Sequence, residues 1–595
     1  MCRIAGIISK KFSEDELKHK VSLMCDAQQH GGPDDGGLYT APNVNLVFGH
    51  RRLSIIDLST NGHQPMADVE QKAWITFNGE IYNYPELKAE LIKLGAGFHS
   101  GTDTEVIIQA YLHWGTEAFG KLRGMFACAL YDSARALTYL VRDTSGIKPL
   151  YYSTAGNQLI FASEIKAIQA SGIPMSENPD WPIKFLAYGH IPEPYTTFKD
   201  VYSLPKGHFL CWDHQSGKAQ LNAFPELNTD NIITNVAEAH HAIAQSLAAA
   251  VKRQLIADAD IGVFLSGGID SSLLTLLADS QKQQKLKTVS IFFDEGDYDE
   301  SIYQQAVFDK IGGEKSSHLV RQQDFNTFFP EVMDAMDMPT TDGINSWFIS
   351  KYARQDGLKA VLSGIGADEL FGGYPSFNRI GHIKNLRKLP RAIIKTLTRL
   401  SDDKYKRLIF LTVDHSLADY LFLRGLFVPA DIAAMLNCDE KQVYAALFNN
   451  ESPLSFTDYT PGTASLLETN LYMQNQLLRD TDVMSMSHGL EVRVPFLDED
   501  FRRIADSISP RIRFSEKQHK KILIDTFNDI LPKAVWDRPK MGFSFPLQQW
   551  MSKHPAIADE SFYKNKTAKS VITNFKNNRV HWSKAFALFQ LQNHA

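Results

Sequence analysis

The 595-residue chain is poor in cysteine, in long apolar runs and in excess positive charge. Its five cysteines, Cys2, Cys25, Cys128, Cys211 and Cys438, are odd in number and unpaired in spacing. That speaks against a disulfide framework or a zinc cluster, and for a reducing compartment. A cytoplasmic protein is expected. Apolar runs break off well short of the roughly 20 residues a bilayer needs. Met1–Ile8 reads as a strand, not as a charged-then-apolar leader, so no membrane partner is expected. A net charge of −6 argues against a general nucleic-acid binder. The basic stretch Arg379–Arg407 reads as a solvated helix face. There is no Walker loop of the form G-x-x-x-x-G-K-[ST].

What the chain does have is a globular composition, 44% hydrophobic and 22% charged, and enough length for two or more domains. Residues 1–210 carry short strands such as Leu46–His50, Ala73–Phe77 and Ala127–Tyr131, split by turns such as Gly31-Gly32-Pro33-Asp34-Asp35-Gly36-Gly37. Helical patterns are fewer, near Glu14–Gln29 and Tyr84–Leu94. This predicts an α+β domain of two layered sheets with helices outside. A polar stretch over 211–235 reads as a linker. From Val236 strands alternate with helices, which predicts an α/β doubly wound parallel sheet over 236–595. The part after about Gly381 is mostly helical and is expected to cover the ligand site.

Three stretches carry chemistry. In Phe264-Leu265-Ser266-Gly267-Gly268-Ile269-Asp270-Ser271-Ser272 a strand feeds a Gly-rich turn into a helix start. Backbone N–H groups, hydroxyls and the helix dipole would cradle phosphate there, and Asp270 could hold Mg²⁺ between phosphates. Leu362-Ser363-Gly364-Ile365-Gly366-Ala367-Asp368 repeats the strand–glycine design, and Asp368 could share the cation. Ligands of such a sheet sit at the carboxyl ends of its strands, where Ser266, Ile291 and Ser363 fall. The third is Cys2. Removal of the initiator Met would put a thiol and an α-amine on one residue, and an amine of pKa roughly 7.7–8.0 can serve as a general base.

The first phosphate stretch resembles the pyrophosphate loop of ATP pyrophosphatases, which split ATP between its α- and β-phosphates. Cys2, His50–Asp57, Phe77–Asn83 and Ser100–Glu105 together resemble the N-terminal-nucleophile glutaminase domain of class II amidotransferases. With Ser363–Tyr374, His488–Asp498 and Arg538-Pro539-Lys540, nearly the whole chain resembles the glutamine-hydrolysing asparagine synthetase family. The resemblance implies Cys2 as nucleophile and Asn78 with the Gly79 N–H as oxyanion hole. It implies Arg52, Ile55, Asn78, Glu80 and Asp103 around glutamine. For ATP it implies Leu265, Ser266, Gly267, Gly268, Asp270, Ser271, Ser272, Ile291, Ser363 and Gly364, with Mg²⁺ at Asp270 and Asp368 and Lys540 on the phosphates. A homodimer is also implied.

Three departures stand out. The family reads R-H-R-G-P-D where this chain has Gln29-His30-Gly31-Gly32-Pro33-Asp34, which puts the ordering of that loop in question. Ile365 replaces the usual Glu of S-G-E-G-x-D-E, and no Arg follows Thr340-Thr341. The implied reaction is adenylation of an acceptor carboxylate and its amidation by glutamine-derived ammonia. Aspartate is the first-choice acceptor; a carboxylate such as a sugar uronate is the alternative, because an alkyl group cannot hold an ammonium.

Overall fold

The computed structural model describes residues 2–594 apart from 42, 225–231, 282–285, 401–402, 451–453 and 516–517. Met1, whose removal is expected, lies outside the described residues.

Two antiparallel six-stranded sheets form the first part. Their strands are β1 (Arg3–Ile8), β2 (Asp35–Ala41), β3 (Leu46–Arg52), β4 (Met66–Ala67), β5 (Ala73–Ile81), β6 (Gly124–Asp132), β7 (Leu137–Arg142), β8 (Tyr151–Ser153), β9 (Leu159–Ala162), β10 (Tyr202–Ser203), β11 (His208–Asp213) and β12 (Lys218–Ala223). The orders are β10-β8-β9-β1-β3-β2 and β12-β11-β7-β6-β5-β4. Ile4, Phe48 and Phe161 of the first sheet pack with Ala127, Leu140 and Trp212 of the second. Strands β1, β6 and β9 are buried at nearly every position, and their sequences are apolar at nearly every position too. The helix Glu14–Ala27 covers the first sheet through Leu17, Val21 and Met24, and a Ser13–Glu16 capping box starts it. The helix Asp103–Trp114 covers the second sheet through Val106, Ile107 and Tyr111.

The linker expected over 211–235 needs correcting. Strands β11 and β12 pair antiparallel from His208↔Ala223 to Asp213↔Lys218, so the sheet continues to Ala223. Strand β12 is an edge strand exposed along nearly its whole length, so it lacks the apolar alternation by which a strand is recognised.

The second part holds a five-stranded parallel sheet ordered β15-β14-β13-β16-β17. Its strands are β13 (Ile261–Phe264), β14 (Lys287–Phe293), β15 (Glu314–Val320), β16 (Ala360–Leu362) and β17 (Glu491–Arg493). Going along the chain, pairing runs outward from β13 through β14 to β15, then returns to the other side of β13 at β16. That reversal opens a crevice beyond the carboxyl ends of β13 and β16. Beyond Phe371 the described chain is helical apart from β17. Within it, Glu468–Leu478 forms a π-helix running into the α-helix Arg479–Met486.

Candidate active site

The thiol-bearing site grows out of three adjacent strands. Strand β1 brings Cys2 to its start, and the Cys2 backbone N donates to Asn78 Oδ1 at 3.2 Å. Asn78 is fully buried on β5, and among the described residues its Nδ2 has no hydrogen-bond partner. A buried amide N–H₂ without a partner is costly, so one aimed into a site is a donor waiting for a ligand. Gly79 follows with φ +155°, and a Cβ there would sit 2.1 Å from the Met125 carbonyl oxygen. Only glycine fits where β5 meets β6. Burial pushes the Cys2 thiol up, opposed by the chain's amino terminus, the Leu53 backbone and the Arg52 guanidinium beside it.

Arg52 uses its two Nη atoms on the loop that follows β3, donating to Ser59 O at 2.8 Å and to Asp57 O at 2.5 Å. Ile55, in that same loop, is buried. Asp103 starts its helix with Oδ2 accepting from Ile81 N at 2.9 Å, and burial pushes it up to about 6. Glu80 is buried, which raises it, as do Glu491 and Asp103; the Arg493 guanidinium 3.3 Å away opposes this. The structure thus gathers Cys2, Arg52, Asn78, Gly79, Glu80 and Asp103. It also accounts for Gly31, where a Cβ would fall 2.7 Å from Arg3 Cγ. Arg3, paired with Glu164 and Asp482, fills the space a larger residue would need.

At the second crevice the two glycine loops close on each other. A Cβ at Gly364 would meet Asp270 Cβ at 2.8 Å, so the Ser363 loop lies directly against the start of the helix Ile269–Ser280. Gly267 has φ +85°, Gly268 N donates to Ser266 Oγ at 3.3 Å, and Ser266 N donates to Ser271 Oγ at 3.1 Å. The N–H groups of a helix start over a glycine turn suit phosphate oxygens. The hydroxyl of Ser272 is buried and has no partner among the described residues. Leu265 and Ile291 are buried side chains, and the Ile291 carbonyl accepts from Gln304 Nε2 at 3.0 Å.

Sequence reasoning missed Lys520. Its Nζ lies 2.5 Å from both Asp270 Oδ2 and Asp368 Oδ1, and Lys540 Nζ lies 2.7 Å from the same Asp368 oxygen. Burial works to raise Asp368, but the two ammoniums hold it down at about 2. Among the described residues Asp270 Oδ1 is buried and has no partner. Asp270 and Asp368, two carboxylates that reach one ammonium with an oxygen to spare, are the residues that could also hold a divalent cation. Arg538 Nη2 donates to Gly267 O at 3.0 Å and to Glu300 at 2.5 Å, bracing the turn. Beside it opens a cleft of about 740 Å³ lined by Gln518, Lys521, Trp536, Arg538 and Pro539 among others. Lys520 had no local signal, since it is one of two adjacent lysines before a short helix.

Beyond Lys540 lies a half-buried polar wall. The Lys540 ammonium is 4.8 Å from the Tyr374 ring, and the Arg424 guanidinium sits 4.4 Å from Tyr374 and 3.6 Å from Tyr472. Arg424 pairs with Glu468 at 2.6 Å. Asp342, partly exposed, is pushed up to about 6 by burial and by Asp480. Gly343 has φ +92°, and a Cβ would fall 3.0 Å from Met484 Cε, so a side chain there would be strained.

Comparison with known proteins matches both parts of the chain. A family model described as a glutamine amidotransferase domain matches residues 1–223, and one described as asparagine synthase matches residues 242–583. Glutamine-hydrolysing asparagine synthetase 1 of Bacillus subtilis (strain 168) is 29% identical over 93% of this chain and 88% of its own length. Asparagine synthetase 3 of the same organism is 29% identical over 91% and 87%. The amidase chry2 of Gibberella zeae is 27% identical over 90% and 86%. The chain belongs to the asparagine synthase family, with a glutamine amidotransferase domain ahead of the synthase domain.

Proposed function

We propose that the chain joins ammonia taken from glutamine to a carboxylate that it first activates with ATP. The observation that carries the nitrogen-donor half is the unpartnered Asn78 Nδ2 next to Cys2. With Met1 removed, the Cys2 nitrogen held by Asn78 Oδ1 is an α-amine able to take the thiol proton. The thiolate attacks the glutamine side-chain amide, and Asn78 Nδ2 with the Gly79 N–H receives the oxyanion. Ammonia leaves, and water releases glutamate from the thioester. Arg52 clamps the α-carboxylate while Glu80 and Asp103 hold the α-ammonium.

In the second site the Ser266–Ser272 turn and the Ser363–Gly364 loop hold the ATP phosphates. Asp270 and Asp368 would hold Mg²⁺, which would supply countercharge to the phosphates. The acceptor carboxylate attacks the α-phosphorus, and pyrophosphate leaves towards Lys520 and Lys540. Ammonia then attacks the acyl carbon of the adenylate, and AMP departs. Keeping both sites in one chain keeps ammonia out of bulk water, where it would be protonated.

Aspartate is the first acceptor to test, because relatives named as asparagine synthetases match along most of the chain. Ile365 and Gly343 favour a second reading. Neither can hold an amino acid's charged groups, whereas Asp342 and the Tyr374–Tyr472 rings suit the hydroxyls and C–H face of a uronic acid. Release of AMP and pyrophosphate with glutamine and ATP, measured against aspartate and a panel of free and nucleotide-linked uronic acids, decides between them. Absence of aspartate-dependent pyrophosphate sinks the first reading. Absence with every carboxylate sinks the adenylation scheme.

A further inference from the structure

Three strands of the parallel sheet link the amidotransferase domain to the second crevice. Strand β13 leads into the Ser266 turn, and just before it Asp258 is tied to the glutamine-side loop. Asp258 N donates to Ile55 O at 2.9 Å, and Asp258 Oδ2 accepts from Asp57 N at 2.8 Å. Strand β16 leads into the Ser363 loop, and Lys359 just before it reaches Asp34 Oδ2 at 2.6 Å. Strand β17 ends at Arg493, whose carbonyl accepts from Ser363 N at 2.8 Å. Strands β13 and β16 are four and three residues long. At about 3.3 Å per residue, only ~10–13 Å of rigid strand separates the two ends.

The Arg493 side chain crosses to the other domain. Its Nη1 donates to Gln254 O at 2.8 Å and Ile256 O at 2.6 Å, its Nε to Glu491 at 2.5 Å, and its Nη2 stands 3.3 Å from Glu80 Oε1. Among the described residues Nη2 has no hydrogen-bond partner, and the guanidinium is fully buried. Glu80 sits on β5 directly after Asn78 and Gly79, with Glu491 and Asp103 as like-charged neighbours. A buried carboxylate among carboxylates needs its cation, and where that cation stands decides where the carboxylate points.

We propose that Arg493 is a positioning residue for glutamine: the synthase domain completes the glutamine pocket by aiming Glu80 with Arg493 and by tying down the Ile55–Asp57 loop with Asp258. The proposal rests on the reading of Glu80 as a holder of the α-ammonium.

The test uses the full chain and glutamate release from glutamine. Arg493→Lys should raise the glutamine KM about tenfold with kcat within about threefold, because one ammonium cannot replace a planar fork that spans two carboxylates and two carbonyls. In a Glu80→Gln background the same substitution should change KM by less than about twofold, a coupling that general loosening of the interface would not produce. An unchanged KM in Arg493→Lys, or additive effects in the double variant, overturns the proposal. Should Arg493→Lys fail to fold, Asp258→Ala in the exposed loop removes the second tie and should raise KM about threefold; an unmoved KM there overturns it too. If the unaltered chain releases no glutamate at all, the amidotransferase reading fails instead.

Discussion

Lys520→Met should expose how the two acids of the nucleotide site are held. The Lys520 side chain is 5% exposed and contacts both Asp270 and Asp368 at 2.5 Å. With the lysine present, Asp368 is held down at about 2 from an ordinary 3.8. At about 1.4 kcal/mol per unit that depression is worth ~2.5 kcal/mol, shared between Lys520 and Lys540. The sign follows from the depressed value: this stabilisation is present above about pH 4 and is lost only as pH falls towards about 2. Removing Lys520 takes away its share and leaves Asp270 buried without its cation, so the total loss near neutral pH is ~3–5 kcal/mol. In the variant the two acids face each other and their pKa values rise. Raised acids contribute stability below their unfolded values and lose it as pH climbs. The gap in Tm between parent and variant should therefore be widest near about pH 8 and shrink towards about pH 5. Thermal unfolding across that range, with and without MgCl₂, is the assay, and Mg²⁺ should stabilise the variant more than the parent. ATP-dependent pyrophosphate release should fall at least about a hundredfold. A Tm gap that does not change with pH, or no gap, would refute the reasoning.

Further outcomes are expected elsewhere. Cys2→Ala should abolish glutamate release but leave ammonia-driven pyrophosphate release intact; glutamine still serving as donor would mean another nucleophile. Asn78→Ala should lower glutaminase kcat by ~10²–10³ with little change in KM, read by steady-state kinetics. Asp103, pushed up to about 6, must be ionised to hold the glutamine ammonium, so log kcat/KM for glutamine should bend downward below about pH 6; a flat profile to about pH 5 would remove Asp103 from the pocket. The same raised value means that Asp103 stabilises the fold below its unfolded pKa and loses that contribution as pH rises through about 6. Ile365→Glu should improve use of aspartate relative to uronic acids if this position faces the acceptor, as a panel of pyrophosphate assays would show.

Much of this protein could be read locally. A phosphate turn needs glycines beside a strand and serines at a helix start, all within Phe264–Ser272, and such a signal survives without tertiary context. The same holds for Asn78-Gly79, where one dipeptide supplies both a side-chain donor and a backbone donor. The order of these stretches also carried the division into two antiparallel sheets followed by a parallel one. The sequence was less legible where polarity and irregularity coincide. Strand β12 is exposed along its length, so its pattern matched a linker, and only pairing with β11 revealed the sheet edge.

What tertiary structure alone decided is which charges meet. Lys520 lies 250 residues from Asp270, and nothing near it in the chain marks it out. Glu80 and Arg493 come from different domains, yet burial makes each depend on the other. Backbone conformation is written in neighbouring residues, so the sequence by itself determined the loops and the chemistry each can do. Pairing of buried charges is set by how sheets and helices dock, so only the fold could show that β13, β16 and β17 each carry a link to the amidotransferase domain.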